Sequence, residues 1–355
     1  MKKTKDCIID ISQAGGLELS NSKMKVWRTC QYSYFFKYVQ RLTPMKKSRS
    51  LTVGSWVHEC LEAKNRGKSM NDRFKELVEK EWKPLFQEEK NELGNVPNDV
   101  RRMLLKYNQA YKENDKRYTP VLIERDFMIQ IPKTEVILTG KIDRIVVDDQ
   151  DRYWIWEYKT AKKIPENEMQ QIIDPQTAIY QYVLQRIIAL GILPKKPIAG
   201  VVYDYIRNKP PSDPFVLKSG GLSVAKNKLG CDYSSYLAKI KELGLDESAY
   251  TDVLSQLKAK ESEFLRRIAV TKDPNTVKRI MRDIIFTGTE MRHREKQERP
   301  YFPRNINYLC TSNNNKCDYA DACILDLQGH DYTQLIGVLY ERRKKDEQIE
   351  EKRTS

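Results

Sequence analysis

Two carboxylates and a lysine stand among residues that otherwise read as buried strands. The stretch from Gly140 to Thr160 is GKIDRIVVDDQDRYWIWEYKT. Ile142, Ile145, Val146 and Val147 are strand formers, as are Tyr153, Trp154, Ile155 and Trp156, and the polar run Asp148–Asp151 lies between them. This predicts a strand, a tight turn and a second strand. Side chains alternate across a strand, so Asp143 shares a face with Ile145 and Val147, and Glu157 and Lys159 share one with Tyr153 and Ile155. The opposite faces carry Ile142, Val146, Trp154, Trp156 and Tyr158. Both faces are apolar, as in a strand covered on two sides. Unpaired charges are costly to bury there. A divalent cation held by Asp143 and Glu157, with Lys159 beside it, resolves the conflict; a surface ion pair is the simpler alternative. A shared cation requires an odd-numbered turn. A loop of Asp149, Gln150 and Asp151 sets Asp143 opposite Glu157, whereas a two-residue turn sets it opposite Trp156 on the wrong face.

Other residues with chemical potential lie on predicted helices. His58, one of only three histidines, sits on a helix predicted from Val53 to Arg66 and ended near Gly67. Gln176 and Tyr180, four apart on one face, begin a helix capped by Asp174, with Pro175 in its first turn and Gly191 at its end. Of seven cysteines, Cys310, Cys317 and Cys323 form a loose trio and Cys30 lies far upstream. Zinc sites usually use closer pairs, whereas three cysteines with a distant fourth suit the four thiolates of a [4Fe–4S] cluster.

The elements that must hold these residues follow from pattern. Residues 1–18 read as a poorly defined lead-in. Leu19 to Leu42 reads as a helix capped by Ser20 or Ser22, with Trp27, Cys30, Tyr34 and Tyr38 at helical spacing. Met70 to Asp115 is largely helical, broken near Gly94 and Pro97, and Phe74, Leu77, Trp82 and Leu85 cover one face of the sheet. Val121 to Ile131 reads as the first sheet strand and Ile198 to Ile206 as the last. Pro210, Pro211 and Pro214 then open a segment with helices around Tyr236–Leu243 and Ala249–Ile268, an insertion that either guides substrate access or acts as a solvated spacer. Asn275 to Glu290 is a helix returning to the core, and the charged tail from Glu341 reads as exposed helix or disorder.

The chain has 355 residues, 40% hydrophobic and 32% charged, with 63 Lys and Arg against 49 Asp and Glu. The net charge of +14 favours a polyanionic partner. No apolar run approaches the roughly 20 residues of a membrane span, and the basic N-terminus is followed by too short an apolar stretch for a signal peptide. A cytoplasmic protein is expected, in which the cysteines are core residues or metal ligands rather than a disulfide framework.

Asp143 followed by Glu157-Tyr158-Lys159, with its Gly140-x-x-Asp143 lead, resembles the PD-(D/E)XK nuclease superfamily, and more narrowly the RecB-like and AddB-like nucleases that carry an iron–sulfur cluster. Gly54-x-x-x-His58 is similar to their helix upstream of the sheet, Gln176 and Tyr180 to their Gln-x-x-x-Tyr motif, and Glu124 with Phe127 to a Glu-x-x-Phe feature. Ser20-x-Ser22, Cys30 and the aromatic residues after it resemble the cluster helix, with Cys30-Gln31 where many members have Cys-Pro. The resemblance covers residues 19–206 and 275–326. It implies an α/β restriction-endonuclease-like core, a mixed central sheet flanked by helices, with a helical insertion and a C-terminal cysteine region. The expected divisions are 1–208 for the cluster helix and nuclease core, 209–270 for the insertion, 271–330 for the return helix and cluster region, and 331–355 for the tail.

The implied activity is hydrolysis of DNA phosphodiesters at strand ends with Mg²⁺ or Mn²⁺. By the resemblance His58, Asp143, Glu157 and the Tyr158 carbonyl hold that ion. Lys159 orients the attacking water or stabilises the phosphate, and as a general base it would need a depressed pKa. Gln176 orients Lys159 or the phosphate, Tyr180 contacts DNA, and Cys30, Cys310, Cys317 and Cys323 hold the [4Fe–4S] cluster. Cys7, Cys60 and Cys231 fall outside that plan. The competing readings are a catalytically inactive DNA-binding scaffold and a zinc-stabilised site-specific endonuclease of the same superfamily.

Overall fold

A computed structural model describes residues 7–12, 15–46, 48–311 and 316–343. Its centre is a sheet of seven strands: β1 (Cys7–Asp10), β2 (Leu17–Leu19), β4 (Thr119–Gln130), β5 (Val136–Val147), β6 (Tyr153–Ala161), β7 (Ile198–Arg207) and β8 (Leu265–Val270). Two further short strands, β3 (Leu42–Pro44) and β9 (Tyr340–Arg342), pair with each other apart from it. The order is β1-β4-β5-β6-β7-β8, with β2 also on β5, and the pairing is mixed. β6 runs parallel to β7, β1 to β4 and β2 to β5; the other neighbours are antiparallel.

Helices cover both faces, as expected for the predicted class. On one face lie α1 (Asn21–Thr29), α2 (Gln31–Tyr34), α8 (Pro175–Ala189) and α11 (Pro274–Glu295), which bury Trp27, Val183 and Ile284 against Ile145 and Ile155. The other face is covered by α3 (Arg49–Asn65), α4 (Met70–Leu77), α5 (Gln87–Leu93) and α6 (Val96–Tyr111), which pack Trp56, Val100 and Tyr107 against Val146, Trp156 and Tyr158. The short α7 (Met169–Ile173) joins β6 to α8. Between β7 and β8, α9 (Tyr233–Glu242) and α10 (Thr251–Ala259) build a small core of their own around Tyr236, Ile240 and Leu257. Finally α12 (Ala320–Leu327) packs with Phe36, Leu42 and Tyr340. Among the described residues no helix is long and apolar enough to cross a membrane.

Several expectations are corrected. The supposed lead-in holds β1 and β2, strands too short to show periodicity. The single helix over Leu19–Leu42 is broken at Cys30, whose φ of −162° is extended backbone. The break expected near Gly94 and Pro97 is present: α5 ends at Gly94, and Pro97 occupies the first turn of α6, where its missing N–H is not needed. The helix expected over Ala249–Ile268 stops at Ala259, and Leu265–Val270 is β8, so β7 is not the last strand. Arg266 and Arg267 gave β8 its helical look. Their guanidiniums are satisfied by distant partners, Arg266 by the carbonyls of Pro165 and Glu166 and Arg267 by Asp204 and Asp115. Glu341 belongs to β9, and the rest of the tail, from residue 344, lies outside the described residues.

Candidate active site

The predicted hairpin forms with the predicted register. Val147 pairs with Tyr153 and Arg144 with Trp156, a register that carried one step further sets Asp143 opposite Glu157. The turn is odd-numbered, as required, and closes on Asp148, whose N–H donates to the Arg152 carbonyl at 3.0 Å. The Asp148 carboxylate accepts from Arg152 and Trp154, which holds it well below the usual carboxylate range against the opposing effect of burial.

The ladder beside Asp143 is open. β4 occupies one side of β5. On the other side β2 pairs only with Val136–Leu138 and β6 only with Arg144–Val147. Residues Thr139 to Asp143 therefore face a gap between two strand ends. Buried backbone groups need partners, and here side chains supply them. The Tyr158 N–H donates to Asp143 Oδ2 at 2.8 Å, and the Tyr180 hydroxyl donates to the Lys141 carbonyl at 2.9 Å. The in-and-out alternation of β5 also inverts at this point. Ile142 packs with Ile145 and Ile155, not with Val146 and Trp156 as predicted. Asp143 sits at the inversion.

Around the gap the site assembles from four elements. From β6 comes Glu157, whose Oε1 accepts from Lys159 Nζ at 2.6 Å and from Gln176 Nε2 at 2.8 Å. From the first turn of α8, opened by the Asp174 cap, Gln176 also accepts from Lys159 Nζ at 2.8 Å and donates to the Tyr180 hydroxyl at 2.8 Å. From α3, His58 Nδ1 lies 3.8 Å from Asp143 Oδ2, and the Tyr158 backbone hydrogen-bonds its ring. One turn earlier on α3 is Gly54, where a Cβ would stand 3.0 Å from Thr160 Oγ1; the glycine lets the helix lie close to β6. Tyr180 is buried and engaged on both sides of its hydroxyl. It closes the backbone gap from the α8 side.

Electrostatics follow from burial. Desolvation pushes Glu157 up to about 7, helped by the neighbouring Asp143 charge and opposed by Lys159. Asp143 is raised for the same first reason. Burial lowers His58, favouring the neutral imidazole. Lys159 behaves differently from a general base: burial works to lower it, but Glu157 and Asp143 outweigh that and hold its ammonium above the ordinary value. Among the described residues no three His, Cys, Asp or Glu side chains stand close enough together to bind a metal ion as they are. Even so, Glu157 Oε2 is buried and takes no hydrogen bond. A buried, unpartnered carboxylate oxygen next to a second buried carboxylate and a neutral imidazole is a donor set suited to a divalent cation.

Sequence reading left Glu124 without a role and passed over Lys141. Glu124 interrupts β4 with a φ of +46° and pairs with Lys141 at 2.6 Å, two residues before Asp143. Asn65 was also missed. It receives Arg144 Nη1 at 2.9 Å and donates to the Tyr158 hydroxyl at 3.1 Å, tying the end of α3 to both strands of the hairpin. Only the strained φ and the buried pairs reveal these, and neither leaves a local sequence signal.

The four cysteines come from both ends of the chain into one neighbourhood. Cys30 Sγ accepts from the Asn305 N–H at 3.5 Å, and Cys310 Sγ lies 3.9 Å from the Asn305 carbonyl. Cys317 Sγ is 3.5 Å from Ser33 Oγ, and the Cys323 thiol is raised by burial and, less, by its neighbours Cys30 and Cys317. Cys60 and Cys231 are buried in apolar cores elsewhere, and Cys7 is on the edge strand β1.

Hairpin, open ladder and acidic–lysine set define a nuclease-type α/β core. The profile of the PD-(D/E)XK nuclease superfamily matches residues 18–324, and the chain belongs to that superfamily. Membership implies a phosphodiester hydrolase acting on nucleic acid with divalent metal ions. Comparison with curated proteins returns no match. Among solved structures, protein VC1899 from Vibrio cholerae shares 9% sequence identity over 67% of this chain, with a TM-score of 0.15, and this chain spans 57% of its length.

Proposed function

We propose that this chain is a metal-dependent DNA nuclease that processes strand ends. The observation that carries the reading is Glu157, buried, bonded to Lys159 and Gln176 through one oxygen and left without a donor on the other, beside the buried Asp143. His58, Asp143, Glu157 and the Tyr158 carbonyl would hold Mg²⁺ or Mn²⁺. The bound ion supplies Lewis-acid charge to a phosphoryl oxygen and acidifies water. A neutral His58 suits Mn²⁺ better than Mg²⁺, which prefers oxygen. Lys159, held as an ammonium by Glu157, offers positive charge to the phosphate where negative charge builds in the transition state. Gln176 fixes that ammonium from the α8 side. The net charge of +14 supplies salt-dependent affinity for the nucleic acid backbone. The preference for ends rests on the resemblance to RecB-like enzymes.

The test is an anaerobic preparation assayed on end-labelled single- and double-stranded DNA with Mn²⁺ or Mg²⁺. A metal-dependent ladder growing from the label is expected. Discrete bands would instead favour a site-specific endonuclease, and binding without cleavage a scaffold.

A [4Fe–4S] cluster on Cys30, Cys310, Cys317 and Cys323 is the second part of the proposal. Its support is the gathering of these thiols from distant sequence positions, with Cys30 half-buried at a helix break. A brown preparation with iron and sulfide in equal amounts is the expected result.

A further inference from the structure

Helix α7 has its apolar and polar sides reversed. Its Gln171 is 1% exposed, whereas Met169, Ile172 and Ile173 are 68%, 39% and 67% exposed. Water favours the opposite arrangement, so the helix is held by its anchors and not by its own amphipathicity. Those anchors lead directly to the catalytic strand. The Gln171 amide lies 2.6 Å from the Tyr205 hydroxyl, and Tyr205 is the register partner of Lys159 on β7. Immediately after α7, the Asp174 carboxylate accepts from the Tyr203 hydroxyl at 3.0 Å, and Tyr203 is the register partner of Glu157. Lys272 Nζ donates to the Asp174 carbonyl at 2.5 Å and locks the junction from β8's side. The exposed apolar side chains are thus on a helix anchored to β7, the strand next to the one that carries Glu157 and Lys159, a few residues before Gln176.

What would cover them follows from what adjoins them. Aliphatic carbon has nothing to offer a phosphate, and the intact duplex presents phosphates and sugars on its outside. Aliphatic side chains do match the flat faces of bases, which become reachable once a base has left its stack. Adjacent nucleotides lie only about 3.4 Å apart along a stacked strand. A strand with its scissile phosphate at Lys159 therefore carries neighbouring bases past α7. The loop from β6 to α7 also presents Lys162 and Lys163 to solvent, next to the expected path of the phosphates.

We infer that Met169, Ile172 and Ile173 form an apolar knuckle that packs against unstacked nucleobases beside the scissile phosphate, so that unpaired strand ends are the favoured substrate. This rests on the nuclease reading above.

The full-length chain carrying Met169→Ser and Ile173→Ser together provides the test, with thermal melting to verify its fold. Cleavage is followed on an end-labelled single strand and on the same strand with its terminal nucleotides made abasic. On the base-bearing strand the double variant should lose about tenfold in kcat/KM. On the abasic strand the unaltered chain should fall to the variant's rate, while the variant stays where it was. Equal rates for the two chains on the base-bearing strand overturn the inference. So does a variant deficit that persists undiminished on the abasic strand, which would mark a structural defect. A change in mass by light scattering with unchanged cleavage would assign the surface to a protein contact and overturn it too. If the unaltered chain cleaves no nucleic acid, the nuclease reading itself fails, an outcome distinct from all of these.

Discussion

At the scale of single residues, Glu157 and Lys159 face one another across 2.6 Å, yet their expected contributions differ from that of an ordinary ion pair. Glu157→Ala removes a proposed metal donor and also strands the Lys159 charge; Lys159→Ala leaves Glu157 buried with less compensation. Each variant should lose at least about a hundredfold in cleavage rate, while salt-dependent binding to DNA, measured by fluorescence anisotropy, stays close to normal. Full activity in either would reject the site. The same carboxylates govern stability against pH. Burial raises Glu157 to about 7 and pushes Asp143 and Glu124 upward as well. Above the unfolded carboxylate value of about 4, the folded chain keeps protons that the unfolded chain has released. Stability without metal therefore falls as pH rises from there through about 7 and on to about 8, the Glu157 and Glu124 values. His58, lowered by burial, works the other way below its ordinary pKa, but it is one group against three. Because cations bind the ionised carboxylates, the rise in Tm produced by Mn²⁺ should be small near pH ~5 and large near pH ~8. An increment independent of pH, or one that survives in Glu157→Gln, would contradict this.

Elements show why the gap in the ladder beside Asp143 does not unravel the sheet. β5 loses its neighbour between the end of β2 and the start of the β6 pairing, and Tyr180 from α8 covers the exposed Lys141 carbonyl. Tyr180→Phe keeps the packing but leaves that acceptor buried and unpaired. It should cost roughly 1–3 kcal/mol by urea denaturation, with cleavage reduced through the shifted Gln176. A variant as stable as the parent would show that water or another donor fills the gap. The hairpin itself was legible because its signals are local: strand formers, a polar turn and a parity rule that fixes register. The boundaries of α8 were legible for the same reason, with Asp174 capping it and Gly191, at φ +72°, ending it. What escaped depends on distant partners. β1 and β2 are strands only because β4 and β5 lie beside them, and β8 is a strand because Asp204 and Asp115 take up Arg267. The inversion of β5 at Asp143, and with it the misplaced face of Ile142, has no local signature either. Tyr180 was placed correctly on its helix, but its inward role depends on an opening in the sheet that no spacing rule reveals.

Across the whole molecule, a segment before the core and a segment after it, residues 36–44 and 319–342, meet on the side that carries the cysteines. Phe36 and Leu42 share a small core with Tyr319, Ala322 and Tyr340, β3 pairs with β9, and the Tyr319 hydroxyl donates to the Leu42 carbonyl at 2.9 Å. That core is small, and β3 and β9 have three residues each. A metal centre joining Cys30 to Cys310, Cys317 and Cys323 would reinforce this closure around nearly the entire nuclease core. The entropy it removes from the unfolded chain grows only as the logarithm of the enclosed length, but the enclosed length is most of the protein. Metal binding of this kind is coupled to folding. The proposed centre also lies on α1, α2 and the C-terminal region, whereas Glu157 and Lys159 are on β6, so its loss should act on stability before chemistry. Cys30→Ser, or serine at any of the other three, should strip iron, lower Tm and reduce soluble yield, while whatever protein stays folded keeps its Mn²⁺-dependent cleavage. Serine at Cys7, Cys60 or Cys231 should leave the iron content unchanged, whatever it costs the local packing. Iron retained in Cys30→Ser would exclude that residue as a ligand, and a colourless anaerobic protein holding one tight zinc would replace the cluster with a zinc staple at the same closure.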